Sequence, residues 1–286
     1  MVKMVTNVYQ ISFMRLLSGL ALLVLLIGCT TTAPDNSIGF GGLKPKPVNT
    51  KKTFHSLNEK IAQNPNNPAV YNVRGSAYGE IGEDEKALED FDQAIMLDQN
   101  YYLAHANRAF ILTRLGQRKE AFESYNKALA INPRYAQAYI GRGLLYVHSE
   151  QKQPAMQDFS RAIQINPSNP KGYYNRGSLK HALRDYAGAI EDLTKAIGLQ
   201  PEQSESYVAR GLVYLDQKDY HTAYEDFTQA VYLDKRSADA WYYAGFALEN
   251  LERWNEAREA YRRAQALIAK DNKARKGLSR ISGKVK

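Results

Sequence analysis

Residues 170–203 read PKGYYNRGSLKHALRDYAGAIEDLTKAIGLQPEQ, and this stretch decides the fold. With Pro170 as place one, Tyr173 stands at place four, Ala189 at twenty, Leu193 at twenty-four and Ala196 at twenty-seven. Steps of 34 residues in either direction find the same residue types at the same places. Place four holds Tyr71, His105, Tyr139, Tyr173, Tyr207 and Trp241, and place twenty holds Ala87, Ala121, Ala155, Ala189, Ala223 and Ala257. Place twenty-four holds Phe91, Tyr125, Phe159, Leu193, Phe227 and Tyr261, followed at twenty-seven by Ala94, Ala128, Ala162, Ala196, Ala230 and Ala264. The register divides the chain into 68–101, 102–135, 136–169, 170–203, 204–237 and 238–271 with no insertion. A fixed period of this length specifies stacked supersecondary units, each too small to bury its apolar face alone.

Each repeat reads as two short amphipathic helices. In the first, Val70, Val73, Ala77, Tyr78 and Ile81 follow helical spacing, Gly82 breaks the helix, and Ala87, Leu88, Phe91, Ile95 and Leu97 resume it. Place eight is Gly75, Gly143, Gly177, Gly211 and Gly245, with Ala109 in the second repeat, which suits a close crossing of two helices. Pro133, Pro167 and Pro201 end the second helix of their repeats, because Pro cannot continue a helix; Gln99, Lys235 and Ala269 stand there in the others.

Residues 68–271 resemble the tetratricopeptide (TPR) repeat. The resemblance implies an all-α, right-handed α-solenoid of about six tandem TPR helix-turn-helix repeats with partial capping helices at both ends. Phe54, Leu57 and Ile61 mark residues 51–67 as an N-terminal capping helix, the second half of an incomplete repeat. Ala274, Leu278 and Ile281 mark residues 272–286 as a basic capping helix and tail, with Lys273, Arg275, Lys276 and Arg280 toward water.

Place seven, usually Leu in a TPR, is Arg74, Arg108, Arg142, Arg176 and Arg210 here. Sixteen residues on stand Asp90, Ser124, Asp158, Asp192 and Asp226, and the sixth repeat has Ala244 and Ala260 instead, so both partners are lost together. This covariation points to structural ion pairs, Arg74–Asp90, Arg142–Asp158, Arg176–Asp192 and Arg210–Asp226. The functional alternative is an arginine ladder for an anionic ligand, in which Arg108, lacking an Asp, is the most available member.

The TPR resemblance also implies that places two, five, nine, twelve and thirteen of the first helix line a concave protein-binding groove. On that basis the groove residues are Phe110, Ile140, Leu144, Tyr174, Leu212, Tyr242 and Phe246, an apolar set of the kind that marks interaction sites. The competing reading packs some of them against neighbouring repeats or under the cap helix. Lys171, Asn72, Asn107 and Asn175 stand at places used by carboxylate-binding TPR domains, but not in the combination of that clamp.

The amino end has the shape of a lipoprotein signal. Lys3 and Arg15 precede an apolar stretch, Leu16 to Ile27, of about twelve residues, too short for a helix of ~20 that would span a bilayer. It ends in Leu26-Ile27-Gly28-Cys29, which resembles the bacterial lipobox, and Cys29 is the single Cys of the chain. Residues 1–28 are then the signal peptide, Cys29 carries lipid, and 29–50 form a Pro- and Gly-rich tether; the alternative is a free thiol beside an uncut anchor. Thr30 rather than Asp after the Cys favours the outer membrane, facing the periplasm.

The net charge of +8 does not mark a nucleic-acid surface. Lys3 and Arg15 supply two of the eight; the tail from Lys270 to Lys286 holds seven cations and one Asp, leaving residues 29–269 neutral. The tail is either a solvated cap or a contact for acidic partners. No Gly-rich phosphate loop, paired-His metal motif or nucleophile constellation is present, so neither enzyme, cofactor nor metal is expected.

The layout resembles the NlpI-like TPR lipoproteins of the bacterial envelope. The resemblance implies a non-catalytic scaffold anchored by lipid, whose protein partners are peptidoglycan hydrolases or a periplasmic protease, with room for a homodimer. The second expectation is a pilotin-like lipoprotein that assists a secretin subunit or type IV pilus assembly.

Overall fold

The computed structural model describes residues 50–268 and 272–284, together with 24–25 and 40–41. Cys29, most of the signal and tether, and Lys270 with Asp271 lie outside the described residues. Val24–Leu25 (β1) and Phe40–Gly41 (β2) form a two-residue antiparallel pair. All other described secondary structure is helical.

The chain divides into two compact bodies, one ending at Asn166 and the other beginning at Pro167. The N-terminal body contains α1 (Thr50–Gln63), α2 (Pro68–Glu80), α3 (Asp84–Leu97), α4 (Tyr102–Arg114), α5 (Arg118–Ile131), α6 (Ala136–His148) and α7 (Lys152–Ile165). The C-terminal body contains α8 (Pro170–Ala182), α9 (Tyr186–Leu199), α10 (Ser204–Asp216), α11 (Tyr220–Leu233), α12 (Ala238–Asn250), α13 (Trp254–Leu267) and α14 (Asn272–Ile281). Helices α2 to α13 pair into six hairpins, each with a first helix of 13 residues and a second of 14. This is the all-helical TPR solenoid architecture.

Helix starts are set locally. The Asn67 and Asn169 side chains accept from the backbone N–H of Ala69 and Lys171, each at 3.0 Å, ahead of Pro68 and Pro170 in the first turn. Asp185, Asp219 and Ser237 do the same for α9, α11 and α12.

One motif ends every first helix. The residue at place fifteen is left-handed: Gly82 (φ 81°), Gly116 (77°), Glu150 (59°), Arg184 (63°), Lys218 (62°) and Glu252 (60°). The following N–H reaches back five residues, as in Glu83 to Tyr78 (3.0 Å), Gln151 to Tyr146 (2.8 Å) and Arg253 to Leu248 (2.9 Å). These bonds close the Schellman cap that satisfies the last free carbonyls of a helix. In four of the six repeats a side chain bears the left-handed conformation, a strain of roughly 1 kcal/mol each relative to Gly.

Glycine at place eight lets the two helices of a hairpin touch. A Cβ on Gly75 would lie 2.8 Å from the Phe91 ring, and one on Gly143 2.6 Å from that of Phe159. The rings themselves are wholly buried, as are Phe227 and Tyr261, and each contributes about 1.5–3 kcal/mol by leaving water.

Where place twenty-four is Tyr instead of Phe or Leu, the extra hydroxyl needs space in the next repeat. A Cβ on Gly141 would fall on the Tyr125 hydroxyl, and one on Gly277 would lie 2.6 Å from Tyr261 Cζ. Both glycines occupy place six after the tyrosine's own repeat, so a tyrosine and a downstream glycine form one packing unit. The ends of the chain lose this small-residue pattern. Exposed Lys60 in α1 takes the place of the repeat's second Ala, and exposed Ser279 in α14 takes that of the place-eight Gly, so the terminal faces are polar.

Candidate functional site

The arginines at place seven lie between second helices. Arg74 donates Nε and Nη2 to the two oxygens of Asp90 at 2.8 and 2.6 Å, and Nη1 to Asn58 of α1 at 2.8 Å. Arg142 binds Asp158 at 2.8 Å through Nε and through Nη2, and reaches Asn126 of the preceding repeat at 2.7 Å. Arg210 repeats the arrangement with Asp226 and Thr194. Arg176 grips Asp192 in the same two-pronged way, and Lys180 adds a second cation to that carboxylate at 2.9 Å. Arg74, Arg142 and Arg210 therefore each tie the second helix of their own repeat to the second helix just before it, through a residue sixteen positions upstream of the arginine. Hydrogen bonding to the carboxylate is the main cause that raises the pKa of Arg74, Arg142, Arg176 and Arg210.

Arg108 corrects the expectation that it is the most available of the set. Its Nε donates to Asp92 at 2.6 Å and its Nη1 to Ser124 at 2.8 Å. The missing downstream Asp is replaced by an upstream one, because both second helices are within reach of a place-seven side chain. In the sixth repeat, where Arg is Ala244, the upstream Thr228 hydroxyl turns back to the Tyr224 carbonyl at 2.8 Å.

The predicted groove residues separate into three groups. Phe110, Leu144, Tyr174 and Leu212 are half-buried and keep surface on the first-helix face of their repeats. Ile140 does not: it is 1 % exposed and packs among Ala136, Leu144 and Ala162, so it is core and not a contact residue. Tyr242 and Phe246 are half-buried because α14 covers them. Lys273 Nζ sits 5.9 Å from the Tyr242 ring centroid, and the Arg280 guanidinium 5.8 Å from that of Phe246. Burial, helped by the Glu205 charge and opposed by a hydrogen bond with Ser178, pushes the Tyr174 hydroxyl up to about 12.

Buried polar links between successive first helices had no periodic signal in the sequence. Asn107 Nδ2 donates to Asn72 Oδ1 at 2.9 Å and approaches Ser76 at 3.4 Å, so the amides at clamp-like places bind each other. Arg114 Nη1 donates to the Gly79 carbonyl at 3.0 Å, and its Nε to Asp84, on the second helix α3, at 2.8 Å. His181 Nε2 lies 2.9 Å from Asp216. Asn72–Asn107, Gly79–Arg114 and His181–Asp216 are each separated by 35 residues, one more than the period, because neighbouring first helices are staggered. Asn175 donates to the Lys171 carbonyl at 2.8 Å, and burial lowers the Lys171 ammonium to about 7.

Among the described residues no group of His, Cys, Asp and Glu is placed to hold a metal ion, and no helix is long and apolar enough to cross a membrane. What the arrangement offers chemically is recognition: helix faces of fixed spacing, with apolar side chains between polar links.

The comparisons with known proteins follow the repeats. The family model described as "Tetratricopeptide repeat" matches residues 68–101 and 136–169, and "TPR repeat" matches 110–148. "Anaphase-promoting complex, cyclosome, subunit 3" matches 182–264. No curated protein sequence matches. Among solved structures, a chain of the APC/C hetero-tetramer Cut9–Hcn1 superposes with TM-score 0.72 at 15 % identity, covering 82 % of this chain and 46 % of its own. This chain thus spans about half the length of that relative. PilF of Pseudomonas aeruginosa gives TM-score 0.68 at 20 % identity, covering 74 % of this chain and 97 % of its own. PilW, titled a widely conserved type IV pilus biogenesis factor, gives 0.68 at 18 % identity, covering 74 % of this chain and 98 % of its own. At these identities the likeness is one of fold.

Proposed function

We propose that this TPR-repeat protein is a non-catalytic scaffold, anchored to a bacterial envelope membrane through lipid on Cys29, that holds protein partners on the first-helix faces of its repeats. The observation that carries the reading is the contrast within those faces. The arginines at place seven are committed to the fold, whereas Phe110 and Leu144 in the N-terminal body, and Tyr174 and Leu212 in the C-terminal body, retain apolar surface on first helices. Half-buried apolar and aromatic side chains on packed helices within each body suit the capture of a partner segment.

In this reading the partners are peptidoglycan hydrolases or a periplasmic protease, gathered at the outer membrane. The mechanism is effective concentration: enzymes held by one tethered frame meet more often than free ones. A second reading, an assembly factor for a secretin subunit or type IV pilus, is supported by the near-complete coverage of PilF and PilW. Crosslinked affinity capture from envelope extract separates them. Wall hydrolases, transglycosylases or a protease support the adaptor; a secretin or pilus subunit supports the assembly factor; capture of neither sinks both. Cys29→Ala tests the anchor, with release from the membrane fraction expected and unchanged sedimentation contradicting it.

A further inference from the structure

Helix α14 differs from the other helices that stack at a first-helix position. It has ten residues where the others have 13, and it carries Lys273, Arg275, Lys276 and Arg280 with no acidic residue. Ala274, Gly277 and Ile281 are buried and Leu278 is half-buried against the same cluster, so two large side chains supply its apolar anchoring. Charged contacts add to this small apolar hold. Arg280 donates Nε and Nη2 to the two oxygens of Glu249 at 2.7 Å each, and Nη2 also to the Tyr261 hydroxyl at 3.1 Å. Lys273 lies 3.6 Å from Asp239. The receiving surface therefore has two acidic points, Asp239 and Glu249 on α12, two aromatic faces, Tyr242 and Phe246, and a buried ring, Tyr261, that admits only glycine opposite it.

We propose that this surface is a helix-binding site for a partner's short basic amphipathic helix, and that α14 is its resident occupant in cis. The chemistry of the site specifies the partner segment: cations at its first turn and near its end, a glycine to seat on the Tyr261 ring, and a β-branched or Leu residue four places later. A ten-residue helix is marginal in water by itself, so α14 is ordered by docking and unfolds when displaced. Its short connection to α13 gives it the advantage of high effective concentration, which a partner must overcome by longer contact or its own tethering. The proposal deepens the scaffold reading by naming one client segment, and it does not depend on the lipid anchor or on the faces around Phe110 and Leu144.

The test uses the full chain and a fluorescent peptide of residues 270–286. Gly277→Leu in the chain drives a side chain into the Tyr261 ring and expels α14, leaving the site open. Expected are peptide binding to the Gly277→Leu chain with micromolar affinity and none to the wild type at the same concentration. Adding Glu249→Gln to the Gly277→Leu chain should weaken binding about tenfold or more through loss of the two-pronged Arg280 contact. A Gly277→Leu chain of native helicity that ignores the peptide overturns the proposal, as does binding indifferent to Glu249→Gln. Should Gly277→Leu prevent folding, hydrogen exchange on the wild type decides. The proposal requires α14 amides to exchange faster than those of α12, and faster still at high salt. Exchange as slow as α12 and indifferent to salt makes α14 a permanent part of the solenoid. Neither result bears on the envelope capture experiment, so the two readings fail separately.

Discussion

Removing Arg210 tests whether the arginines at place seven stabilise the fold as pairs. Arg210→Ala strips Asp226 of two hydrogen bonds, at 2.9 and 2.8 Å, and leaves a carboxylate whose side chain is 7 % exposed. Breaking one side of such a pair costs about 3 kcal/mol, because the other charge stays buried without compensation. Asp226→Ala leaves the guanidinium, 19 % exposed and still bonded to Thr194, closer to solvent, so it should cost about 2 kcal/mol. The double Ala variant reproduces what the sixth repeat already has in Ala244 and Ala260, and should cost only about 2 kcal/mol, a coupling of about 3 kcal/mol. Urea unfolding followed by the fluorescence of Trp241 and Trp254 and by circular dichroism measures all three. The pH dependence supplies a second handle. Burial is the leading cause that raises the Asp226 pKa, with Arg210 opposing it. A raised carboxyl contributes stability below its unfolded value, and that contribution is lost as pH rises through the folded one. Without Arg210 the folded value climbs further, so the Arg210→Ala penalty should shrink on acidification toward the unfolded carboxylate value of about 3.9. Strict additivity of the two single variants, within ~0.5 kcal/mol, would falsify the pairing account.

Glu150→Gly and Lys218→Gly should each raise stability by roughly 1 kcal/mol, read as a higher urea midpoint, because both residues are left-handed; an unchanged or lower midpoint contradicts the strain argument. Gly141→Ala should destabilise by about 1–3 kcal/mol and be partly rescued by Tyr125→Phe, which removes the hydroxyl it meets; lack of rescue breaks the link between the two positions. Burial is the main cause that lowers the His105 pKa, against the opposing Gln99 carbonyl, so the folded state favours the neutral ring. Its contribution is full above the unfolded value of about 6.5 and is lost as pH falls through the lower folded one. Replacing His105 by Gln should flatten the stability profile across that window, and an unaltered slope counts against the assignment.

Much of this architecture is readable because the period writes each packing rule six times. The paired loss in Ala244 and Ala260 shows from sequence alone that places seven and twenty-three belong together, and the structure supplies the geometry of that contact. Gly82 and Gly116 announce their turns, but Glu150, Arg184, Lys218 and Glu252 take the same backbone conformation with no sequence cue. There the hairpin's own helix contacts and the Schellman bonds override local preference. Ile140 was assignable to a face but not to a depth, since its burial depends on Ala136, Leu144 and Ala162 closing around it. Asn72 and Asn107 escape a 34-residue comparison because the stagger of adjacent helices moves the contact to 35. The cover over Tyr242 and Phe246 comes from α14, whose sequence follows the repeat too loosely to show how it lies.

The most direct test of the scaffold account is site-specific photo-crosslinking in cells, with the photoreactive residue at position 110 or 144 and a control at 232. Phe110 and Leu144 are half-buried on first helices, whereas Tyr232 is 73 % exposed on a second helix. The account predicts that positions 110 and 144 capture discrete envelope proteins and that position 232 does not. Capture confined to position 232, or none from 110 and 144, contradicts it.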